Sequence, residues 1–73
     1  MKVYRVVRHG SEWHLISPST GIAIGAASEK SVVLQWACLL AQKSGGEVHV
    51  YDDLALQDVY ADANGVMQSV ARE

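Results

Sequence analysis

A single segment of this 73-residue chain has helical periodicity, and that limits the folds open to it. The segment ASEKSVVLQWACLLAQKSGG (residues 27–46) has apolar residues at the i, i+1, i+4, i+7 and i+8 positions of one helical stripe: Val32, Val33, Trp36, Leu39 and Leu40. Ser28 is the predicted N-cap, with Glu29 at the favourable end of the helix dipole. Lys43 falls in the last turn and Gly45 is the predicted C-cap. A chain with one helix among strands is expected to lay that helix on a sheet.

The segments on either side are predicted as short strands, because they are rich in β-branched and aromatic residues and are separated by turn residues. The predicted strands cover residues 3–7, 13–17, 22–24, 47–51 and 56–60. Val48, Val50 and Leu56 are expected to face the helix. The order β-β-(β)-α-β-β predicts an α+β two-layer fold, an antiparallel sheet with one helix on one face. Residues 1–65 are predicted as the single domain, and 66–73 as a frayed or helical tail.

The size and cysteine content of the chain limit what can stabilise it. A core this small supplies only ~3–5 kcal/mol without a disulfide, a metal or a partner. Cys38 is the single cysteine, so no intramolecular disulfide can form. At 49% hydrophobic residues the chain is expected to be globular, and no apolar run approaches the ~20 residues that cross a bilayer. Arginines near the N-terminus disfavour a signal peptide, so a cytoplasmic protein is expected.

Charge is distributed unevenly over a net charge of −2. Residues 1–43 hold five basic and two acidic side chains, whereas residues 44–73 hold one basic and six acidic side chains. Such an asymmetry can pair the two halves of one chain, or two chains. It differs from a dedicated nucleic-acid-binding protein, which is usually basic overall.

Three stretches of the chain resemble a known family. They are a hairpin with Trp13 opening its second strand, the helix opening SEKSVVLQWA, and the ending GGEVHVYDDLALQDVY. Together, over residues 3–65, they resemble the small bacterial family catalogued as domain of unknown function 2188. The resemblance implies a ββαββ module with no established activity and no defined catalytic residues. The chain departs from that family at Leu54-Ala55, where a turn glycine is usual, and on the outer face of the helix, where charged residues are usual.

The helix is apolar on two sides. With Trp36 taken as the centre of the buried stripe, Leu34, Cys38 and Ala41 fall on the opposite side at ~100° per residue. A helix that is apolar nearly all round is usually covered on both sides. These three residues are therefore the candidate interface, and a homodimer is the simplest partner arrangement.

The polar residues do not assemble into a predicted catalytic or metal site. No histidine has a second ligand at helical spacing, and there is no Cys-x-x-Cys pair. Asp52 and Asp53 are adjacent and suit a turn. His49 and Asp58 are predicted to meet across the last hairpin as an ion pair rather than an acid/base pair. Cys38 is expected to be an inert mid-helix thiol. We therefore expect no catalytic residues, no metal, no cofactor and no enzymatic activity.

The first hairpin carries the alternative hypothesis. Lys2, Arg5 and Arg8, with Tyr4 and Trp13, place basic and aromatic groups where single-stranded nucleic acid can bind a sheet. Against this, the two aromatic residues are needed in a core without phenylalanine. The sequence favours a small non-enzymatic interaction module that self-associates, with single-stranded nucleic-acid binding as the alternative.

Overall fold

The computed structural model describes residues 1–70, which form six strands and one helix in two layers. The elements are β1 (Val3–His9), β2 (Glu12–Ile16), β3 (Ala23–Ala27), α1 (Lys30–Ser44), β4 (Glu47–Asp52), β5 (Ala55–Ala63) and β6 (Val66–Ser69). α1 packs on one face of the sheet, and no element of residues 1–70 covers the opposite face, which we call the open face. The predicted α+β two-layer class is confirmed.

The six strands form one sheet in the order β3-β2-β1-β4-β5-β6. Neighbouring strands are antiparallel except at the centre, where β1 and β4 are parallel. In that pair Tyr4 lies beside Val48 and Val6 beside Val50. The sheet therefore consists of an N-terminal β3-β2-β1 half and a C-terminal β4-β5-β6 half, joined by one parallel contact.

The two ends of α1 differ in how well the sequence predicts them. Glu29, not Ser28, is the N-cap, and it makes no side-chain capping hydrogen bond, so the predicted Ser28 cap is wrong. The C-terminal prediction is confirmed: Lys43 lies in the last turn and Gly45 adopts the left-handed conformation at φ 74°. The Gly46 amide then donates to the Ala41 carbonyl at 2.8 Å. A Cβ on Gly46 would overlap the Lys2 backbone, so glycine lets the chain pass close to the start of β1.

The core between helix and sheet is built from small and medium side chains. Its buried members come from β1, β2, α1 and β4: Tyr4, Val6, Leu15, Val33, Ala37, Ala41, Val48 and Val50. The prediction that Val48 and Val50 face the helix is confirmed. So is the expectation that Tyr4 belongs to the core, with Trp13 packed against it.

Leu56 does not join this core as predicted. A β-bulge between Val50 and Tyr51 leaves Gln57 without a register partner, so Leu56 lies opposite Tyr51 on the open face. One extra residue reverses the face of every side chain beyond it. Leu56 is consequently exposed.

The C-terminal part of the sheet is longer than predicted. β5 continues to Ala63, and the Asn64-Gly65 turn leads into β6 at Val66–Ser69. The prediction of a frayed or helical tail is wrong over these four residues, and its last part, 71–73, lies outside the described residues. β3 likewise spans Ala23–Ala27 rather than 22–24.

The two hairpin turns of this half share a backbone conformation. Asp53 and Leu54 have φ of 53° and 67°, and Asn64 and Gly65 have 57° and 85°. Two successive positive φ values are typical of a type I′ turn, which Asn-Gly favours. Leu54 adopts this conformation without the freedom of glycine, and its side chain is 94% exposed.

Candidate interaction surface

The inner face of α1 is formed by small residues. Val33, Ala37 and Ala41 are completely buried against the sheet. The prediction that the stripe centred on Trp36 faces the core is confirmed for Val33 and wrong for Trp36, Leu39 and Leu40, because the helix approaches the sheet too closely for its largest side chains. A partial signal was present in the sequence: the outward residues Ser31, Gln35 and Gln42 lie within ~40° of one another. The direction opposite them falls on Val33, with Leu40 and Ala37 on either side of it.

The three candidate interface residues therefore lie in or against the core rather than on the outer side of the helix. Ala41 is fully buried, and Leu34 and Cys38 are half-buried against the core, with Cys38 near enough to Tyr60 to affect its ionisation. The expectation that this side of the helix faces outward is wrong. These residues contribute to the monomer's own packing on the β4-β5-β6 half.

Burial changes the chemistry of two groups on this flank. It raises the pKa of the Cys38 thiol, which reduces the fraction of reactive thiolate. Burial also raises the pKa of Tyr60, with a further contribution from the negative charge of Asp58. Both groups are held in their neutral forms at physiological pH, which gives neither a nucleophile nor a general base.

The large apolar side chains of α1 lie on its outer and β3-facing sides. Together with Ile24 of β3, three of them form what we call the outer patch: Ile24, 55% exposed, Trp36, 39%, Leu39, 55%, and Leu40, 38%. The Trp36 ring lies against Gly25, where an added Cβ would sit 3.2 Å from the ring carbons. Through this contact, Trp36 connects the helical part of the outer patch to β3.

Two shallow cavities meet in the outer patch. One, of about 400 Å³, is lined by Trp36, Leu39, Leu40 and Lys43. The other, of about 520 Å³, contains Leu40 and Ile24 in its wall, together with Tyr4 and Pro18. Leu40 borders both cavities, so the patch is one continuous depressed surface running from the helix to the start of the sheet.

β3 itself presents an unpaired strand edge. It is the first strand in the sheet order, and its outer side pairs with no strand of residues 1–70. Its sequence, AIGAA, contains no charged or polar side chain. Natural sheets usually protect exposed edges with charges, prolines or a covering element. β3 has neither charge nor proline, and it borders the outer patch.

The open face of the sheet has a different character. Two residues of the central strand β1 face this side. Arg5 lies between Ile16 of β2 and His49 of β4. Val7 lies between His14 of β2 and Tyr51 of β4. The rings of His9 and His14 stack with centroids 5.1 Å apart. Arg5, Val7, Tyr51 and Leu54 line a groove of about 240 Å³.

The predicted His49–Asp58 pair is wrong. His49 lies opposite Val59 on the open face, and its Nε2 atom is 2.9 Å from Glu47 Oε1. Asp58 lies opposite Val50 and accepts hydrogen bonds from the Val59 amide and the Ser69 hydroxyl at 2.8 and 2.7 Å. The two side chains occupy opposite faces, so they form neither an ion pair nor an acid/base pair.

The three candidate nucleic-acid contacts are not equivalent. Arg8 donates from Nε to Asp52 Oδ1 at 2.7 Å, and its Nη2 lies 3.6 Å from Asp53 Oδ2. That hydrogen bond and the attraction of Asp52 raise the pKa of Arg8. Arg8 is therefore compensated across the β1–β4 junction. Lys2 and Arg5 are exposed and are left as the candidate contacts.

The described residues contain no group of three or more histidine, cysteine, aspartate or glutamate side chains arranged to hold a metal ion. Over residues 1–70 the structure also contains no helix long and apolar enough to cross a membrane.

No family model matches the chain, and neither a curated protein nor a solved structure is significantly similar to it. Its resemblance to the domain of unknown function 2188 family stays a prediction based on the sequence stretches given above.

Proposed function

We propose that this chain is a small non-enzymatic interaction module that self-associates through the outer patch. The observation that carries the proposal is the concentration of exposed large apolar residues on one side of the helix, at Trp36, Leu39 and Leu40, next to Ile24. Their exposed fractions correspond to on the order of 400 Å² of apolar surface, within the ~300–600 Å² of a typical monomer's largest patch, which is often functional.

The energetics of the monomer support the same proposal. Its buried core has valine as the commonest side chain and two alanines, and it has no disulfide. Hydrophobic burial contributes roughly 25 cal/mol per Å², so covering the patch adds stability that a core of this size lacks. Self-association supplies that cover without a second gene product.

Sedimentation velocity across micromolar concentrations tests the proposal. The wild-type chain is expected to shift from monomer to dimer, and Leu39→Asp is expected to keep it monomeric, because a carboxylate would be desolvated in the contact. Leu54→Asp is the matched control, since it places the same charge at an exposed leucine in the β4–β5 turn, away from the patch.

A wild-type chain that stays monomeric throughout contradicts the proposal. A dimer that Leu39→Asp leaves intact, with circular dichroism showing a folded variant, contradicts the use of the outer patch. Leu34→Asp is unsuitable for this purpose, because Leu34 packs against the core and its substitution would test folding.

Single-stranded nucleic-acid binding is a second candidate, supported by one observation. Arg5 is exposed among the rings of the open face and shares a groove with Tyr51. Cationic and stacking groups on one sheet face are typical of single-strand binding. Arg5→Ala is expected to abolish salt-dependent binding of a mixed-sequence oligonucleotide, whereas Arg8→Ala, at a compensated arginine, is expected to change it little. No shift of the oligonucleotide at low salt would eliminate this candidate.

A further inference from the structure

We propose that two copies of this chain pair along β3, antiparallel, about a two-fold axis perpendicular to the sheet. This inference rests on the proposed self-association and specifies its geometry. The result is a continuous twelve-stranded sheet with both helices on the same face. Isologous pairing of this kind needs one self-complementary surface, which is what a free, uncharged strand edge provides.

Two-fold symmetry determines what meets across the contact. An axis perpendicular to the sheet reverses the direction of each strand and helix but keeps its face. The second α1 therefore runs antiparallel to the first, with β3 and its copy beneath the space between them. Trp36 and Leu40 flank that space, and both lie near the middle of the helix, close to the axis. The apolar centre of each copy is thereby covered by the same residues of the other.

Charges at the ends of the helix suit this arrangement. Glu29 lies at the N-cap of α1 and Lys43 in its last turn, and both are exposed. Neither side chain forms an ion pair within residues 1–70. In an antiparallel pair of helices, Glu29 of each copy lies toward Lys43 of the other, so two complementary pairs flank the apolar centre. The opposed helix dipoles also attract.

The other edge of the sheet is a poorer site for self-pairing. β6 contains Gln68 and Ser69, and the neighbouring strand β5 carries Asp58 and Asp62. Pairing two β6 edges would bring the acidic C-terminal halves of the two copies together. Adding the free edge of β3 to the outer patch, by contrast, brings the total buried surface toward the ~1,000 Å² expected of a biological interface.

A charge-exchange experiment tests the antiparallel arrangement. Glu29→Lys and Lys43→Glu are each expected to weaken dimerisation about tenfold in sedimentation or dilution calorimetry, because each removes both flanking pairs. The double variant Glu29→Lys/Lys43→Glu rebuilds the pairs in reverse and is expected to restore the wild-type dissociation constant. Asp53→Lys is the control, since it reverses an exposed charge in the β4–β5 turn, on the half of the sheet that does not contain β3.

Distances between spin labels test the strand pairing directly. In a Cys38→Ala background, labels at Ala26→Cys project from the open face near the axis and are expected within about 20 Å of each other. Labels at Gln68→Cys on β6 are separated by eleven strand intervals of ~4.8 Å, on the order of 50 Å.

The outcomes separate this geometry from the proposed function. A chain that is monomeric at all concentrations overturns both. A chain that dimerises, but in which the double variant shows no rescue and the Ala26 labels lie as far apart as the Gln68 labels, overturns the β3 pairing alone. Short Gln68 distances would instead assign the contact to β6.

Discussion

The inner face of α1 carries small apolar side chains, whereas its outer side carries large apolar side chains beside glutamines. The inner face consists of Val33, Ala37 and Ala41, and the outer face carries Trp36 and Leu39. Both carry apolar side chains, so an apolar stripe alone does not say which one meets the sheet, and only the neighbouring Gln35 and Gln42 mark the outer face. Close helix–sheet contact selects small residues, and large apolar residues left outside indicate a surface to be covered.

The largest expected effect comes from enlarging the inner face. Ala37→Leu forces a longer side chain into a space without room for it, and overpacking of this kind costs roughly 1–3 kcal/mol. Chemical denaturation at low protein concentration measures the loss. Gln35→Leu, on the outer side of the same helix, is the control and is expected to change monomer stability by less than ~0.5 kcal/mol. Equal effects of the two substitutions would remove the distinction between the faces.

Thiol reactivity probes the boundary between the two faces. Cys38 is half-buried and its pKa is raised by burial, so less thiolate is present at any given pH and reaction is displaced to more alkaline pH. Alkylation of Cys38 is expected to be roughly tenfold slower at pH 8 than that of Leu39→Cys in a Cys38→Ala chain, which exposes a thiol one residue along. A faster reaction at Cys38 would mean that this flank opens.

The contact between the outer patch and β3 is probed by Gly25→Ala. The added Cβ would sit 3.2 Å from the Trp36 ring, which must tilt outward to make room. Because that ring is partly exposed, the expected cost is below about 1 kcal/mol. Tryptophan emission, recorded in a Trp13→Phe background, should shift to longer wavelength. Unchanged emission would show that the ring is not seated on β3.

The smallest effect on the monomer is expected from trimming the outer face. Leu39→Ala removes a side chain that is more than half exposed, so monomer stability should change by less than ~0.5 kcal/mol. The dimer should weaken in the same variant. A loss of monomer stability comparable to that of Ala37→Leu would show that the outer face belongs to the core.

Local sequence signals predicted much of the fold. Alternation in β4 and the Gly45 cap are short-range features, and both are present as predicted. β6 was missed because VMQS is short and partly polar, and it is held as a strand by pairing with β5. The bulge that exposes Leu56 has no local marker, since neither glycine nor proline occurs there.

The candidate surface was predicted only in outline. That the helix is apolar on two sides follows from its sequence, but which side meets the sheet depends on residue volumes in the assembled core. The Arg8–Asp52 ion pair was likewise hidden, because it joins residues 44 positions apart through the parallel β1–β4 contact. Such pairs become visible only when strand order is known.

That parallel contact also governs how the chain folds. β1 and β4 lie on opposite sides of α1 in sequence, so their pairing closes a long loop whose entropy must be lost before the central strands gain contacts. Neither three-stranded half alone provides the whole sheet surface on which α1 packs. We therefore expect folding in one cooperative step, and we expect a chain cut near Gly45 to give two oppositely charged fragments that regain structure only when mixed.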